Sequence, residues 1–104
     1  MSKRPPLLSF AKVRSAAANN VEALVMHWLP NGRREGREWV AINPIRGDNR
    51  LGSFKVNLNT GAWGDFATDK RGGDLISLAA YLQNSSQLEA AKNIAKMLGI
   101  KAHE

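Results

Sequence analysis

Eight cationic side chains crowd one stretch of this chain: Arg33, Arg34, Arg37, Arg46, Arg50, Lys55, Lys70 and Arg71. From residue 74 to residue 100 only Lys92 and Lys96 are added. Lysine and arginine at this density act on phosphates, because each phosphate neutralised releases condensed counterions and adds affinity without regard to base sequence. The alternative for each is an ordinary solvated charge. The same stretch holds Trp39, Phe54, Trp63 and Phe66. A ring among cations can stack on an unpaired base, a contact of ~1–3 kcal/mol, or it can be core. Both readings stay open for Trp63, which is carried as a nucleic-acid contact; Phe54 and Trp28 are assigned to the core.

The composition narrows the chemistry further. A net charge of +6 and a pI near 10.2 in 104 residues point to a polyanionic partner, nucleic acid first and acidic membrane second. There is no cysteine, which excludes disulfides and thiolate zinc sites, and His27 and His103 are too few for a histidine cage. No metal and no cofactor are expected. No catalytic residue is assigned, because there is no cysteine nucleophile, no Gly-x-Ser-x-Gly elbow and no paired acid and base. Gly72-Gly73 before a helix resembles the start of a phosphate cradle, yet Asp74 puts a negative charge where the phosphate would sit. A tight turn capped by Asp74 is the better reading. No apolar run approaches the ~20 residues of a membrane span, and the N-terminus lacks the apolar stretch of a signal peptide, so a cytoplasmic protein is expected.

Elements must position these cations, and the hydrophobic period marks them. Residues 1–8 form a basic, proline-containing lead-in, residues 9–100 one domain, and residues 101–104 a tail. Phe10, Val13 and Ala17 suit a helix from Ser9 to Ala18. A second helix carries Val21, Leu24, Val25 and Trp28 on one face, with Asn19 and Glu22 as a capping box and Pro30 as its stop. Residues 31–38 (NGRREGRE) read as a basic loop or hairpin tip. Three strand-like runs follow: EWVAI, the strictly alternating SFKVNLN, and AWGDF after an Asn59-Thr60-Gly61 turn with Gly61 at positive φ.

After Gly72-Gly73 the period changes from two to about 3.6. Asp74 caps a helix whose stripe is Leu75, Leu78, Ala79 and Leu82. Ser86 and Glu89 open a last helix that buries Leu88, Ala91, Ala95 and Leu98 and ends at Gly99.

Within these elements the segments Asn43-Pro44-Ile45-Arg46, Gly52-Ser53-Phe54-Lys55-Val56, Trp63-Gly64-Asp65-Phe66-Ala67-Thr68, Gly72-Gly73-Asp74-Leu75-Ile76-Ser77-Leu78 and Leu98-Gly99-Ile100 follow one another. In order and approximate spacing residues 36–100 resemble the N-terminal zinc-binding domain of bacterial and phage DNA primases, a Cys-His-Cys-Cys ribbon. There a Cys-Pro-Phe-His knuckle leads through a Pro-Ser-Phe-Ser-Val strand to an aromatic-His-Cys-Phe-Gly-Cys knuckle. A Gly-Gly-Asp turn, a Val-Ile-Ser-Phe helix and a closing Leu-Gly-Ile come after it. The helix at residues 20–30 sits where the family has one ending in Tyr-Val-Pro. The four ligand positions fall on Asn43, Arg46, Asp65 and Thr68, and none keeps a ligand. The loop from Thr68 to Gly72 is about one residue longer than in the family.

The resemblance implies an α+β fold: a small antiparallel ribbon-like sheet, metal-free, flanked by two N-terminal and two C-terminal helices. Structural zinc contributes ~10–16 kcal/mol of apparent binding energy in small domains. An Arg46–Asp65 ion pair, hydrogen bonds from Asn43 and Thr68, and packing of Trp63 and Phe66 on the helices are the candidate replacements. It further implies a single-stranded DNA template-binding domain of a phage, plasmid or integrated-element replication protein. Its polymerising chemistry would lie in a Toprim catalytic domain, on the same or another chain, and a chain ending after the last helix could be a fragment of something longer. The rival is a protein-interaction module that kept the shape, lost both zinc and DNA binding, and docks a helicase.

Overall fold

The alternating run around Phe54 fixes which side of a sheet is buried, since a shift of one residue would exchange its two faces. In the computed structural model, which describes residues 8–45 and 52–100, this run is the central strand of a five-stranded antiparallel sheet. Along the chain the strands are β1 (Arg33–Glu35), β2 (Glu38–Ala41), β3 (Phe54–Asn57), β4 (Trp63–Asp65) and β5 (Arg71–Gly72), and their spatial order is the same. Helices α1 (Phe10–Ala18) and α2 (Val21–Trp28) precede the sheet; α3 (Leu75–Gln83) and α4 (Gln87–Leu98) follow it. The fold is α+β with two helices on either side of the sheet in sequence, as expected. The alternation predicts three strands, whereas five form. β1 is three charged residues and β5 is Arg-Gly, so neither has an apolar face of its own; pairing with β2 and β4 orders them.

Register sorts the side chains into two faces. The row Trp39, Val56, Trp63 and Gly72 looks toward the helices, and Arg34 pairs with Trp39 at its end. Phe54 and Val56 are fully buried there, joined by Val13, Val25, Leu78 and Ile94 from the four helices. The neighbouring row, Arg33, Val40, Lys55, Gly64 and Arg71, belongs to the opposite face. Alternation along β3 thus buries Phe54 and Val56 and leaves Lys55 and Asn57 half-buried on the outer side.

Three helix ends, at Asp74, Ser86 and Gly99, fall as expected, α1 begins at Phe10 with Ser9 as its cap, and the start of α2 differs. The hydroxyls of Ser9 and Ser86 and the carboxylate of Asp74 accept from the backbone N–H groups of Lys12, Glu89 and Ser77 at 3.2, 3.1 and 2.9 Å. Gly99 closes α4 at φ 66°, and the Ile100 N–H donates to the Ala95 carbonyl. Asn19 does not cap α2. It continues α1 in right-handed geometry, Asn20 begins α2, and the Asn20 amide turns back to the Ala16 carbonyl at 2.8 Å. A two-residue link leaves no room for a forward-reaching cap, and Glu22 pairs instead with Arg34.

The stripe of α4 is also displaced from the expected one: Ala90, Ala91, Ile94 and Ala95 are buried, while Leu88 on the first turn is exposed. Trp28 is half-buried at the edge of the core, and Leu29 takes the buried place beside it. No helix among the described residues is long and apolar enough to cross a membrane.

Candidate nucleic-acid interface

Two short turns, one after β2 and one after β4, bring together Asn43, Asp65 and Thr68, three of the four positions that the resemblance assigns to metal ligands. Asn43 and Asp65 are buried, at 1% and 2% exposure. The Asn43 amide nitrogen donates to Asp65 Oδ2 at 2.7 Å and to the Tyr81 hydroxyl at 2.8 Å, and its Oδ1 accepts from the Ile45 N–H at 2.9 Å. Asp65 Oδ1 accepts from the Ala67 N–H at 2.9 Å, and the Asp65 carbonyl accepts from the Thr68 N–H at 3.0 Å. Thr68 Oγ1 in turn accepts from the Lys70 N–H at 3.2 Å.

One asparagine therefore ties both turns to α3, and among the described residues no buried side-chain polar atom lacks a partner. Such a cluster is stabilising only because it is satisfied throughout. No group of three or more histidine, cysteine, aspartate or glutamate side chains among the described residues is placed to hold a metal. The expected Arg46–Asp65 pair lies outside the described residues.

Beside this cluster the rings assemble. Trp63 stacks on Tyr81 at 4.9 Å between centroids and meets Phe54 edge-on at 6.0 Å, and Phe54 meets Tyr81 edge-on at 6.2 Å. The Trp63 indole N–H donates to the Ser77 hydroxyl at 2.9 Å, which donates onward to the Asp74 carbonyl at 2.8 Å. Trp63 is 7% exposed, so its indole is committed to the core and does not serve as a surface platform for bases. Phe66, expected to pack on the helices, does the opposite: it is 75% exposed. Alternation explains both, since β4 ends at Asp65 and the turn swings the next side chain outward.

The outer row gathers the cations. Arg33, Lys55 and Arg71 share it, with Lys70 in the turn before β5 and Arg37 at the tip of the β1–β2 hairpin. Lys55, Lys70 and Arg71 have no carboxylate partner among the described residues, whereas Arg33 is held by Glu35 at 2.8 Å. Arg34 leaves the set, because its register turns it to the helix side, where Glu22 binds it. Arg46 and Arg50 lie outside the described residues. Lys55 stands over the Phe66 ring, 5.7 Å from its centroid. Together with Glu38, Asn57, Gly64 and Arg71 they line an open groove of about 300 Å³.

No family model matches this sequence, and no curated protein matches it.

One contributor escapes sequence reasoning, and so does the direction of another. Tyr81 reads as one more residue of an apolar helix, and only the packing of α3 carries its hydroxyl to Asn43. Phe66 was legible as an aromatic in a knuckle, but its direction depends on where β4 stops.

Proposed function

We propose that this chain is a single-stranded nucleic-acid-binding domain, similar to the primase zinc ribbon in a metal-free form. It serves a cytoplasmic replication protein of a phage, plasmid or integrated element. The domain is not itself the enzyme; polymerising chemistry belongs to a Toprim domain or partner on the same or another chain. The observation that carries this reading is the outer row of the sheet, where Lys55 and Arg71 flank Gly64 without carboxylate partners among the described residues. On the helix side the comparable charges are paired: Arg14 with Asp74, Arg34 with Glu22 and Lys92 with Glu89. Among the described residues Lys55 and Arg71 are thus left available on the outer face, where Arg33 alone of the row is held by a carboxylate, and such available cations are what a phosphate-tracking surface requires.

Fluorescence anisotropy of a labelled oligo-dT across a salt series tests this. Each phosphate neutralised on a single strand contributes roughly 0.7 to the log–log salt slope, so a Lys55→Ala/Arg71→Ala double variant should flatten it by roughly 1.4. A Lys92→Ala/Lys96→Ala variant should leave the slope unchanged. If titration at low salt shows no binding, the interaction-module reading takes over. One feature favours that alternative: the exposed part of Trp28 joins Leu29, Pro30, Ala41, Ile42 and Pro44 around an apolar cleft of about 190 Å³.

A further inference from the structure

Phe66 is the most exposed of the large apolar side chains among the described residues. We propose that its ring is a stacking platform for one unpaired nucleobase, with the adjoining phosphates carried by Lys55 and Arg71. The proposal rests on the nucleic-acid reading above and adds the place where a base, rather than a phosphate, is held.

Exposure alone would not carry this, since single apolar residues on a surface are common. Three further observations do. The backbone under the ring is pinned from several sides: the Phe66 N–H donates to the Ser53 carbonyl at 2.8 Å, and the Asp65 N–H donates to the Lys70 carbonyl at 2.9 Å. The Asp65 carboxylate also accepts from the Ala67 N–H while Asn43 holds it from below. The ring is thus presented on a fixed turn, and a fixed platform loses little freedom on binding.

Second, the Lys55 ammonium lies 5.7 Å from the ring centroid and Arg71 lines the same groove, so positive charge adjoins the ring on the side away from the helices. A planar group attached to a phosphate matches that arrangement; an uncharged apolar side chain would use only half of it. Glu38 lines the same groove, so an anion is favoured there only beside Lys55 and Arg71.

Third, Gly64 lines the groove between Lys55 and Arg71, its partners across the sheet. A Cβ there would lie 3.6 Å from Arg71 Cβ, an ordinary contact, and Gly64 does not have a positive φ. Neither packing nor backbone geometry demands glycine at this position. Its bare backbone leaves the space beside Phe66 open.

The test uses the full chain with two probes of equal length, oligo-dT and an oligomer of abasic residues, titrated at one low salt concentration. Oligo-dT should bind at least about fivefold tighter than the abasic strand, the lower end of the range for one stacked base. Phe66→Leu should bring oligo-dT to the abasic level while leaving abasic binding and the melting temperature unchanged. Phe66→Trp should restore the difference, and Gly64→Leu, which fills the groove, should abolish it. If dT and abasic strands bind alike, or Phe66→Leu weakens both by the same factor, the stacking subsite is wrong and the charge-based reading survives. If neither strand binds, both fall.

Discussion

Asn43 spans two turns and a helix with one side-chain amide, through Asp65 and Tyr81. Removing it leaves a buried carboxylate and a buried hydroxyl short of a donor. A hydrogen bond to a charged group contributes about 1.5–3 kcal/mol, more than a neutral one, and a buried polar group left short of its partner adds its desolvation cost. Asn43→Ala should therefore destabilise the domain by about 3 kcal/mol in urea unfolding. Tyr81→Phe, which removes one acceptor and leaves the ring stack, should cost about 1 kcal/mol. Equal losses from the two would show that Asn43 is not the centre of the cluster.

At Trp63 the prediction concerns which property falls. The ring is 7% exposed and stacks on Tyr81, so Trp63→Leu should lower the melting temperature by several degrees as its first effect. Loss of strand binding at an unchanged melting temperature would put the indole at the surface instead. The role of Asn43 and Thr68 as hydrogen-bonding residues was legible from their types. That Tyr81 completes the cluster was not, because the partner comes from a helix 38 residues away in sequence.

At the scale of elements, each edge of the sheet meets a tryptophan through a glycine. The Trp39 indole donates to the Leu29 carbonyl and lies against Gly32, and the Trp63 indole donates to Ser77 and lies against Gly72. A Cβ on Gly72 would fall 2.2 Å from Ser77 Oγ and 2.4 Å from Trp63 Nε1. Gly72→Ala should therefore force β5 from its place and cost about 1–3 kcal/mol, the usual penalty for overpacking. Gly73→Ala, with nothing within 4 Å of its Cβ, should be close to neutral. Similar unfolding midpoints for the two would mean that the glycine pair is required by the turn and not by the indole. The sequence marks both glycines alike, as a turn; only the register, which sets Gly72 opposite Trp63, separates them.

For the molecule as a whole, the question is what holds a ribbon-like sheet without thiolates. The answer has two adjoining parts, the satisfied Asn43–Asp65–Thr68 cluster and the Phe54–Trp63–Tyr81 aromatic group, both backed by α3. Elemental analysis of purified protein should find no stoichiometric zinc, and a chelator should leave the thermal unfolding curve where it was. A melting temperature that drops on chelation would overturn this account. The order of the four helices and the three inner strands, the α3 and α4 caps and the inward face of β3 could all be read from the sequence, because period and capping are local properties of neighbouring residues. Packing alone decided the rest. Trp63 and Phe66 are three residues apart and chemically alike, yet one is core and the other surface, since the end of β4 and its pairing with β3 and β5 set which way each points. Arg34 and Arg33 are neighbours in the chain, and strand pairing sends one to Glu22 of α2 and the other to the outer face. Residue type tells what a side chain can do, and only the register of the sheet decides which side of it that chemistry meets.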